Sequence, residues 1–398
     1  MRILIVHNRY RSSAPSGENH VVDVESEALR DAGHDVSSFE RQSDDIATWS
    51  IARRATVPVS VVSSRRSRIG LAEVISRSRP DVVHVHNTFP LLSPSILHAA
   101  ADAAVPIVVS IHNYRLACPS GDFFRREALC YDCVGTSGLR AIARGCYRGS
   151  APHTAPIVAS NRLHREAWQT LPSAYIFVSE AERRALISLS LPEDRTFVKW
   201  NLVPWMSAPA VEVVDRVTYV GRLVENKGIR VLLDAWSRYR AVTANPRLRL
   251  TIVGGGPLEQ EVRSRAGEDD RIDFRGFLEP STCRSVVAGS LAVVVPSVWP
   301  ETFGLVAVEA MSAGVAVVAS AIGALPELVR PDVEGALFAP GDPAGLARIL
   351  EDIDARPERW RRLGHSGRRS YQRRFDPAEN LDQLVRIYEF AVKSPRVR

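Results

Sequence analysis

The sequence contains no long uninterrupted apolar run, and this absence argues against several classes of protein. No stretch approaches the roughly 18 apolar residues that a membrane-spanning helix needs. The N-terminus, MRILIVHNRY, enters an apolar strand at residue 3 and has no small-residue cleavage site, so we expect no signal peptide. With 398 residues and 45% hydrophobic content, the chain is predicted to form two ordinary domains of a soluble, cytoplasmic protein. Peripheral contact with the inner membrane face stays open.

Cysteine is scarce, with five residues in the whole chain. Four of them crowd into one segment as C-x11-C-x2-C-x12-C, formed by Cys118, Cys130, Cys133 and Cys146. Such spacing suits a structural four-thiolate zinc site, but two disulfides or free thiols fit the same count. The expected absence of a secretion signal favours zinc or free thiols over disulfides. A catalytic metal is disfavoured because four thiolates leave no open position. The isolated Cys283 is predicted to be a core residue.

The formal net charge is +6 and the sequence pI is about 9.2. This surplus is compatible with phosphorylated ligands or anionic lipid headgroups, although a dispersed surplus is typical of a soluble surface. A helical region between Arg53 and Arg79 is rich in arginine. It predicts either a solvated helix face or contact with a membrane or a phosphorylated acceptor. We expect no nucleic-acid partner.

The first half of the chain alternates between strand and helix patterns. A polar loop and a helix from about His20 to Ala32 follow the first strand, and Gly17 is the single glycine at the helix entrance. The loop lacks G-x-G-x-x-G, so a dinucleotide site there is not expected. The alternation predicts an open parallel sheet wrapped by helices. Its strands are expected at Ile3–His7, Asp35–Phe39, Val82–His86, Ile107–Ile111 and Tyr175–Val178.

Histidines follow two of these strands at the edge where parallel sheets bind ligands. His84 and His86 are spaced to lie on one face, but a metal site would need a third ligand that the sequence does not show. We expect them, with Asn87, to line the mouth of a cleft. His112 directly follows Ile107–Ile111 and should project from the same edge, although a lone strand-end histidine is more often structural.

The segment from Pro296 to Glu327 carries the most specific pattern. A valine-rich strand, Leu291–Val295, ends at Pro296, Thr302 is a candidate N-cap, and a buried helix is predicted from Phe303 to Ala313. Gly314 suits a left-handed helix end, and Val315–Ala319 returns as a strand. This order forms a right-handed crossover, so the loop from Pro296 to Glu301 should lie at the ligand-binding edge.

Two glutamates stand eight positions apart in this segment. Glu309 lies in an apolar helix, where a carboxylate costs several kcal/mol unless it is paired, so we expect a dedicated partner. On this pair alone, Glu301 could simply complement the helix dipole while Glu309 pairs with a core arginine.

Three further loops precede this segment in the second half, after a linker predicted at residues 201–214. The strand in VTYVGR delivers Gly221 and Arg222, and Lys227 and Gly228 open the next helix. LTIVGGGP ends a strand in three glycines, including Gly254 and Gly255, which would let the backbone approach a ligand. IDFRGFL, with Phe277, is another strand and turn.

Together these motifs resemble the retaining glycosyltransferases of GT-B architecture, family 4 (group 1). Their signature is E-x7-E within P-S-x3-E-x-F-G-L, followed by G-G-x-P-E, and the family also has G-R-x4-K-G. Ala324 replaces the second glycine of G-G-x-P-E, which could restrict how closely the backbone approaches a ligand. The matching residues are Gly221, Arg222, Lys227, Gly228, Pro296, Ser297, Glu301, Phe303, Gly304, Leu305, Glu309, Gly323, Pro326 and Glu327.

The resemblance implies an α/β fold of GT-B architecture, with two facing Rossmann-like domains and a cleft between them. Residues 1–203 would form the acceptor-side domain, with a cysteine-rich insertion at 115–150. Residues 215–375 would bind the nucleotide sugar, and the helical segment 376–398 would cross back to the first domain.

The resemblance also implies roles for individual residues. His112, Glu301, Arg222 and Lys227 would be catalytic, with His112 at the reaction centre and Glu301 beside the donor sugar. The two cations would stabilise the charge that a nucleoside diphosphate gains as it leaves. Asn113 replaces an acidic neighbour of His112 that is frequent in the family. The donor and its nucleotide would contact Gly17, Gly221, Arg222, Lys227, Gly254, Gly255, Phe277, Glu301, Phe303, Gly304, Leu305 and, at the ribose hydroxyls, Glu309.

The implied reaction moves a sugar from a nucleotide diphosphate sugar to an acceptor hydroxyl with retention of configuration. UDP is the first expectation for the nucleotide and GDP the second. The acceptor is expected in surface polysaccharide, glycolipid or natural-product glycosylation, and no cofactor is required, since the two cations replace Mg²⁺. Two alternatives remain: a nucleotide-sugar epimerase of the same fold, and a non-enzymatic nucleotide-sugar-binding protein.

Overall fold

The computed structural model describes residues 1–12, 16–206 and 212–394. These residues form two compact units. The first comprises Met1–Arg125, Cys130–Leu202 and Ala378–Arg398, and the second comprises Arg126–Leu129 and Val203–Pro377. Residues 207–211 of the predicted linker lie outside the described part of the chain.

A six-stranded parallel sheet forms the centre of the first unit, in the order β2-β1-β3-β4-β7-β8. All five strands predicted for this half are present, with ends shifted by up to three residues. The runs of β1, β3, β4 and β7 are apolar and buried, as expected of strands covered on both faces, whereas β2 is a polar edge strand in which only Phe39 is buried. The strands, with the separate β5-β6 hairpin, are β1 Arg2–Arg9, β2 Asp35–Gln42, β3 Val82–Asn87, β4 Ile107–Ile111, β5 Phe124–Arg125, β6 Ala128–Leu129, β7 Ala174–Phe177 and β8 Thr196–Val198.

Helices connect and cover these strands. The first begins at Gly17, earlier than the predicted His20, because Ser16 caps it by accepting a hydrogen bond from the Glu18 amide at 3.2 Å. The helices are α1 Gly17–Asp31, α2 Asp45–Thr48, α3 Ile51–Arg54, α4 Val57–Val62, α5 Arg65–Ser78, α6 Ile96–Asp102, α7 Leu139–Ala143, α8 Ala151–Leu163, α9 Arg165–Thr170 and α10 Glu180–Ala185.

The arginine-rich region forms α3, α4 and α5. Arg65, Arg66 and Arg68 are exposed on α5, and Arg68 pairs with Asp102 at 2.7 Å. Contact of this face with a membrane stays a prediction. Among the described helices, none has both the length and the apolar character needed to cross a bilayer.

The second unit holds another six-stranded parallel sheet, in the order β11-β10-β9-β12-β13-β14. The chain proceeds outward from β9 in one direction and then from β12 in the other. This reversal places a topological switch point between β9 and β12, where ligands of such sheets bind. The strands are β9 Arg216–Val220, β10 Arg249–Val253, β11 Ile272–Gly276, β12 Ala292–Val295, β13 Ala316–Ser320 and β14 Gly335–Phe338.

Helices also cover this second sheet, and the last helix of the chain returns to the first unit. This helix is α18, Pro377–Lys393. It packs into the core formed by β1, β3, β4 and β7 through side chains that recur at helical spacing, namely Leu384, Ile387, Tyr388 and Ala391. The remaining helices are α11 Ile229–Val242, α12 Glu259–Glu268, α13 Pro280–Ala288, α14 Leu305–Ser312, α15 Leu325–Leu328, α16 Pro343–Ala355 and α17 Pro357–Arg374.

The helix after β12 starts later than the sequence predicted. Its N-cap is Gly304, with φ of 104°, and not Thr302. That left-handed conformation cannot continue a right-handed helix back to Phe303. The predicted end is confirmed, because Gly314 has φ of 79°. Two backbone hydrogen bonds close the C-terminus of the helix: the Gly314 amide donates to the Met311 carbonyl, and the Val315 amide donates to the Ala310 carbonyl.

One core prediction in this unit was wrong. Cys283 lies on α13 but is half-buried, because the first part of that helix faces solvent.

Candidate active site

The loops that follow β9 and β12 are packed directly against each other at the switch point of the second unit. The amide of Val298 donates to the carbonyl of Asn226 at 3.0 Å. Gly228 has φ of 71°, and a Cβ there would lie 1.8 Å from the carbonyl oxygen of Pro296. A side chain at residue 228 is therefore incompatible with this approach of the two loops.

This packing brings Lys227 to Glu301. The Lys227 Nζ lies 2.6 Å from Glu301 Oε1, and Ser297 donates to the same oxygen. Lys227 also lies 5.1 Å from the centre of the Trp299 ring. Glu301 is only 6% exposed. Burial alone would raise the pKa of Glu301, but the charge and hydrogen bond of Lys227, with the bonds from Ser297 and Trp299, hold it below its usual value. The site therefore contains a fixed carboxylate beside a fixed ammonium.

A glycine turn after β13 supports the backbone of Glu301. The Ala324 amide donates to the Glu301 carbonyl at 2.9 Å, and a Cβ on Gly323 would lie 2.4 Å from the Glu301 amide and carbonyl oxygen. Ala324 itself is buried with an ordinary φ of −78°. The alanine in place of the second signature glycine is thus accommodated without strain.

The glycines after β10 contact the loop after β9. A Cβ on Gly254, whose φ is 134°, would lie 1.9 Å from the Gly221 carbonyl oxygen. The amide of Leu223 donates to the carbonyl of Gly255 at 2.9 Å. These glycines were predicted to let the backbone approach a ligand. In the structure they let the loop after β10 approach the loop after β9.

Arg222 and Phe277 lie at the surface of the second unit. Arg222 is exposed, and its carbonyl accepts a 2.8 Å hydrogen bond from the Tyr219 hydroxyl. Phe277 is 66% exposed. The structure holds Lys227 and Glu301 together and leaves the side chains of Arg222 and Phe277 accessible.

Glu309 is half-buried on α14, which differs from the expectation of a carboxylate in an apolar interior. Leu305 and Val306 are half-buried on the same stripe, at helical spacing from Glu309. Its partial exposure lowers the desolvation cost of this carboxylate. Burial and the charge of Glu309 raise the pKa of Cys283 to about 11. Phe303, by contrast, is 2% exposed and packs inside the unit.

The first unit contains a cluster of histidines at the carboxyl ends of its central strands. His86 Nδ1 lies 2.9 Å from His112 Nε2, and the two rings stack with centres 5.2 Å apart. Burial lowers the pKa of His84 and of His112 to about 3. Both imidazoles are therefore neutral at physiological pH.

A third potential metal ligand lies beside His84 and His86, where the sequence showed none. One ligand atom of each histidine and one of Glu25 lie within 4.8 Å of one another. However, Glu25 pairs with the buried Lys199 at 2.7 Å, and a cation would have to displace that ammonium. His84 already contacts the hydroxyl of Tyr388 at 2.7 Å and that of Ser110 at 2.8 Å. We assign this cluster to a polar core network.

The sequence analysis did not predict the Glu25–Lys199 pair, although the sequence does indicate that Glu25 is buried. Glu25 lies on the stripe of α1 that also carries Val21, Val22 and Leu29. A charged residue on an apolar helix stripe indicates a buried partner. Nothing in the sequence indicates that the partner is Lys199.

His112 lies on the wall of a pocket within the first unit. His86, Asn87, Asn113 and Arg115 also line it. Gly17 is exposed as the first residue of α1, beside the capping Ser16.

Glu18, which sequence reasoning did not select, lies next to this pocket. Its Oε2 accepts hydrogen bonds from the hydroxyl of Tyr10 at 3.1 Å and from the Asn113 amide at 3.4 Å. Burial raises the pKa of Glu18 to about 7, although Tyr10, Arg115 and Asn113 act in the opposite direction.

This raised pKa predicts a pH-dependent stability. Between about pH 4.5 and 7 the folded state retains a proton on Glu18 that the unfolded chain has released, so its contribution to stability falls as pH rises. We expect Glu18→Gln to gain about 1–3 kcal/mol relative to wild type between pH 5 and pH 8. Denaturant unfolding at the two pH values measures this gain. Glu27→Gln, an exposed position on α1, is the matched control, and identical pH dependences in wild type and both variants would contradict the assignment.

Comparison with known proteins first identifies the fold class. Anabaena HepE in complex with UDP-glucose superposes with a TM-score of 0.66 at 19% identity, covering 98% of this chain and 99% of that one. This likeness, together with the two six-stranded parallel sheets, gives the chain the GT-B fold.

Family profiles then identify the family. Residues 16–201 match the "Glycosyl transferase 4-like domain", and residues 214–353 match "Glycosyl transferases group 1". The chain belongs to the group 1 glycosyltransferases, family 4, and is an enzyme of that class.

Two curated relatives match over most of their length. The phosphatidyl-myo-inositol mannosyltransferase of Mycolicibacterium smegmatis is 28% identical over 96% of this chain and 92% of its own. The 2-deoxystreptamine N-acetyl-D-glucosaminyltransferase of Streptomyces fradiae is 29% identical over 79% of this chain and 72% of its own. The two act on different acceptors, so these likenesses do not select one.

Proposed function

We propose that this enzyme transfers a sugar from a nucleotide diphosphate sugar, with UDP as the first expectation and GDP as the second, to an acceptor hydroxyl with retention of configuration. The observation that carries the proposal is the Lys227–Glu301 pair at the switch point of the second unit. UDP-glucose bound to a structural neighbour supports the donor class.

The donor diphosphate is assigned to Lys227, Arg222 and the N-terminus of α14. Gly304, three residues after Glu301, caps that helix without a side chain, which leaves its first amides available to an anion. Lys227 is fixed by Glu301 before the donor binds, so its charge is preorganised. Both cations stabilise the leaving diphosphate more as its charge grows, which favours the transition state over the ground state. For this reason we expect no requirement for a metal cofactor.

Glu309 is assigned to the ribose of the donor. A half-buried carboxylate can accept two hydroxyl hydrogen bonds, and Leu305 and Val306 beside it offer apolar contact to the sugar and base.

The lowered pKa of Glu301 and its contact with Lys227 make it a poor proton donor, so we assign it to the hydroxyls of the donor sugar. In the proposed step the anomeric carbon–phosphate oxygen bond breaks, and a bond to the acceptor oxygen forms on the same face. The acceptor proton passes to the leaving phosphate oxygen, which gives a glycoside and a nucleoside diphosphate. His112 contributes as a neutral imidazole beside the reaction centre and not as a proton carrier, because its pKa lies far below neutrality.

Nucleotide binding provides the first test. UDP at about 100 times its dissociation constant should stabilise the protein by about 2.7 kcal/mol, and differential scanning should show this as an upward shift in Tm. GDP, ADP and dTDP are compared in parallel, and the corresponding nucleotide sugars are then assayed for hydrolysis with and without EDTA. Lys227→Met should lose the shift, whereas Lys393→Met, a surface change on α18, should keep it. Absence of a shift with all four nucleotides would contradict the proposed donor class.

A further inference from the structure

Residues 113–150, which connect β4 to α8, contain little secondary structure. The segment holds a hairpin of two-residue strands, β5 and β6, and the five-residue helix α7. Apolar burial is limited to a few side chains, including Tyr114, Phe123 and Ala141, and most of residues 126–140 is exposed or half-buried. A connection of this length and composition needs a source of stability other than an apolar core.

Four cysteines of this segment converge on one small cavity. Cys118 follows β4, Cys130 directly follows β6, Cys133 lies in the next turn and Cys146 follows α7, and all four line that cavity. All are reduced. Backbone hydrogen bonds fix three of them: the amides of Cys118, Cys130 and Cys146 donate to Tyr114, Phe123 and Ala141 at 2.7, 2.8 and 3.0 Å.

Two arginines accompany the thiols. Arg125 and Arg144 line the same cavity, and Arg144 Nη1 lies 3.9 Å from the sulfur of Cys130. A zinc ion held by four thiolates carries a net charge of −2. Cationic side chains that donate to the sulfurs are the expected surroundings of such a site.

We propose that Cys118, Cys130, Cys133 and Cys146 bind one structural zinc ion. Four soft thiolates from separate turns around one cavity suit tetrahedral zinc. Two disulfides would need two separate pairs, whereas all four cysteines share this cavity. Zinc–sulfur bonds of about 2.3 Å place the sulfurs roughly 3.8 Å apart. Among the described residues, the ligand atoms that lie within 4.8 Å of one another are those of Glu25, His84 and His86, and the four sulfurs are not among them. Binding of zinc would therefore require the sulfurs to move closer together.

The zinc ion would stabilise the segment that begins directly after His112. Asn161 of α8 donates to the Arg115 carbonyl at 2.7 Å, and the Arg115 guanidinium lies 4.4 Å from the Phe89 ring centre. These contacts tie the proposed zinc segment to the wall of the His112 pocket. The site itself does not depend on the proposed reaction.

Metal analysis of the purified protein tests this proposal. The full chain is prepared under reducing conditions without a histidine tag, and inductively coupled plasma mass spectrometry should find one zinc per chain. Cys130→Ser with Cys133→Ser should reduce zinc more than tenfold and lower Tm. Cys283→Ser, outside the segment, is the matched control and should retain one zinc. Nucleotide-induced shifts in Tm, measured on the same samples, report on the proposed donor class separately.

Two results would overturn the zinc proposal. One is a folded, zinc-free protein with five titratable thiols. The other is an intact mass lowered by two disulfides in protein purified without reductant. If the double variant does not fold, wild-type protein produced with cobalt still tests whether the four cysteines bind a metal ion. A tetrathiolate site gives intense thiolate-to-cobalt charge-transfer bands and tetrahedral visible bands, and their absence from folded, cobalt-exposed protein would also reject it.

Discussion

Replacing Glu301 with glutamine is expected to lower kcat by about 10²–10³-fold while nucleotide binding is largely retained. The amide has nearly the same shape as the carboxylate and can still accept a hydrogen bond from Lys227 or Ser297. It lacks the negative charge that now lies 2.6 Å from the ammonium. The loss should therefore appear in the chemical step, because the role proposed for this carboxylate is to orient and polarise the hydroxyls of the donor sugar.

The separation of kcat from binding follows from the position of Lys227. Without its counter-ion the ammonium is at least as attractive to a diphosphate, so the Kd for UDP should stay within a few-fold of the wild-type value. An effect on KM alone would instead indicate that Glu301 contributes uniform binding to ground state and transition state.

Stability must be measured on the same variant, because removal of one partner from a buried ion pair is destabilising in its own right. A UDP-induced rise in Tm of the Glu301→Gln protein shows that its site is folded. Glu259→Gln is the matched control: Glu259 forms a surface pair with Arg263 at 2.7 Å on α12, and such pairs contribute about 0–1 kcal/mol. Wild-type kcat in Glu301→Gln would remove the role assigned to this carboxylate.

The sequence pattern located the strands well because parallel strands buried on both faces leave continuous apolar runs, such as Val82–Val83 and Val293–Val295. It located the C-terminus of α14 for an equally local reason, the glycine at 314. The predicted N-terminus of that helix was wrong. Thr302 has the capping propensity of an N-cap residue, but Gly304 is the N-cap in the structure. Tertiary packing also leaves no space for a side chain at this position, since a Cβ there would lie 2.8 Å from a methyl carbon of Leu325.

The contacts that define the candidate site could not be predicted in the same way. Lys227 and Glu301 are 74 positions apart, and their meeting depends on β9 and β12 being neighbours in the sheet. The resemblance placed both residues near the donor but did not indicate that one is the counter-ion of the other. Lys199 and Glu25, 174 positions apart, and the contact between His86 and His112 likewise depend on which strands and helices become neighbours.

Gly228→Ala is expected to cause a large loss of stability. The added Cβ would lie 1.8 Å from the Pro296 carbonyl oxygen, which belongs to backbone and cannot rotate away. The φ of 71° adds about 1–2 kcal/mol for an L-residue. We expect a total of about 3–5 kcal/mol.

Activity should fall with stability in this variant, because Gly228 follows Lys227 and its close approach to Pro296 sets the spacing between the two loops. If the loops separate, Val298 loses its hydrogen bond to Asn226 and Lys227 moves away from Glu301. UDP-induced stabilisation should therefore decrease, in contrast to Glu301→Gln, where it is retained. The pair of variants distinguishes loss of a charged group from loss of loop geometry.

Urea unfolding of Gly228→Ala measures the effect, with each transition compared separately because the two compact units can unfold in separate steps. Gly267→Ala is the matched control. Gly267 lies inside α12, and its added Cβ would have no heavy atom within 4 Å, so alanine should stabilise the helix by up to about 1 kcal/mol. A Gly228→Ala protein with wild-type unfolding and wild-type turnover would show that the loops after β9 and β12 are not held together in solution. A loss of stability and of UDP-induced stabilisation in Gly228→Ala, with a gain of stability in Gly267→Ala, would support the view that close backbone packing at the switch point positions Lys227 for the leaving diphosphate.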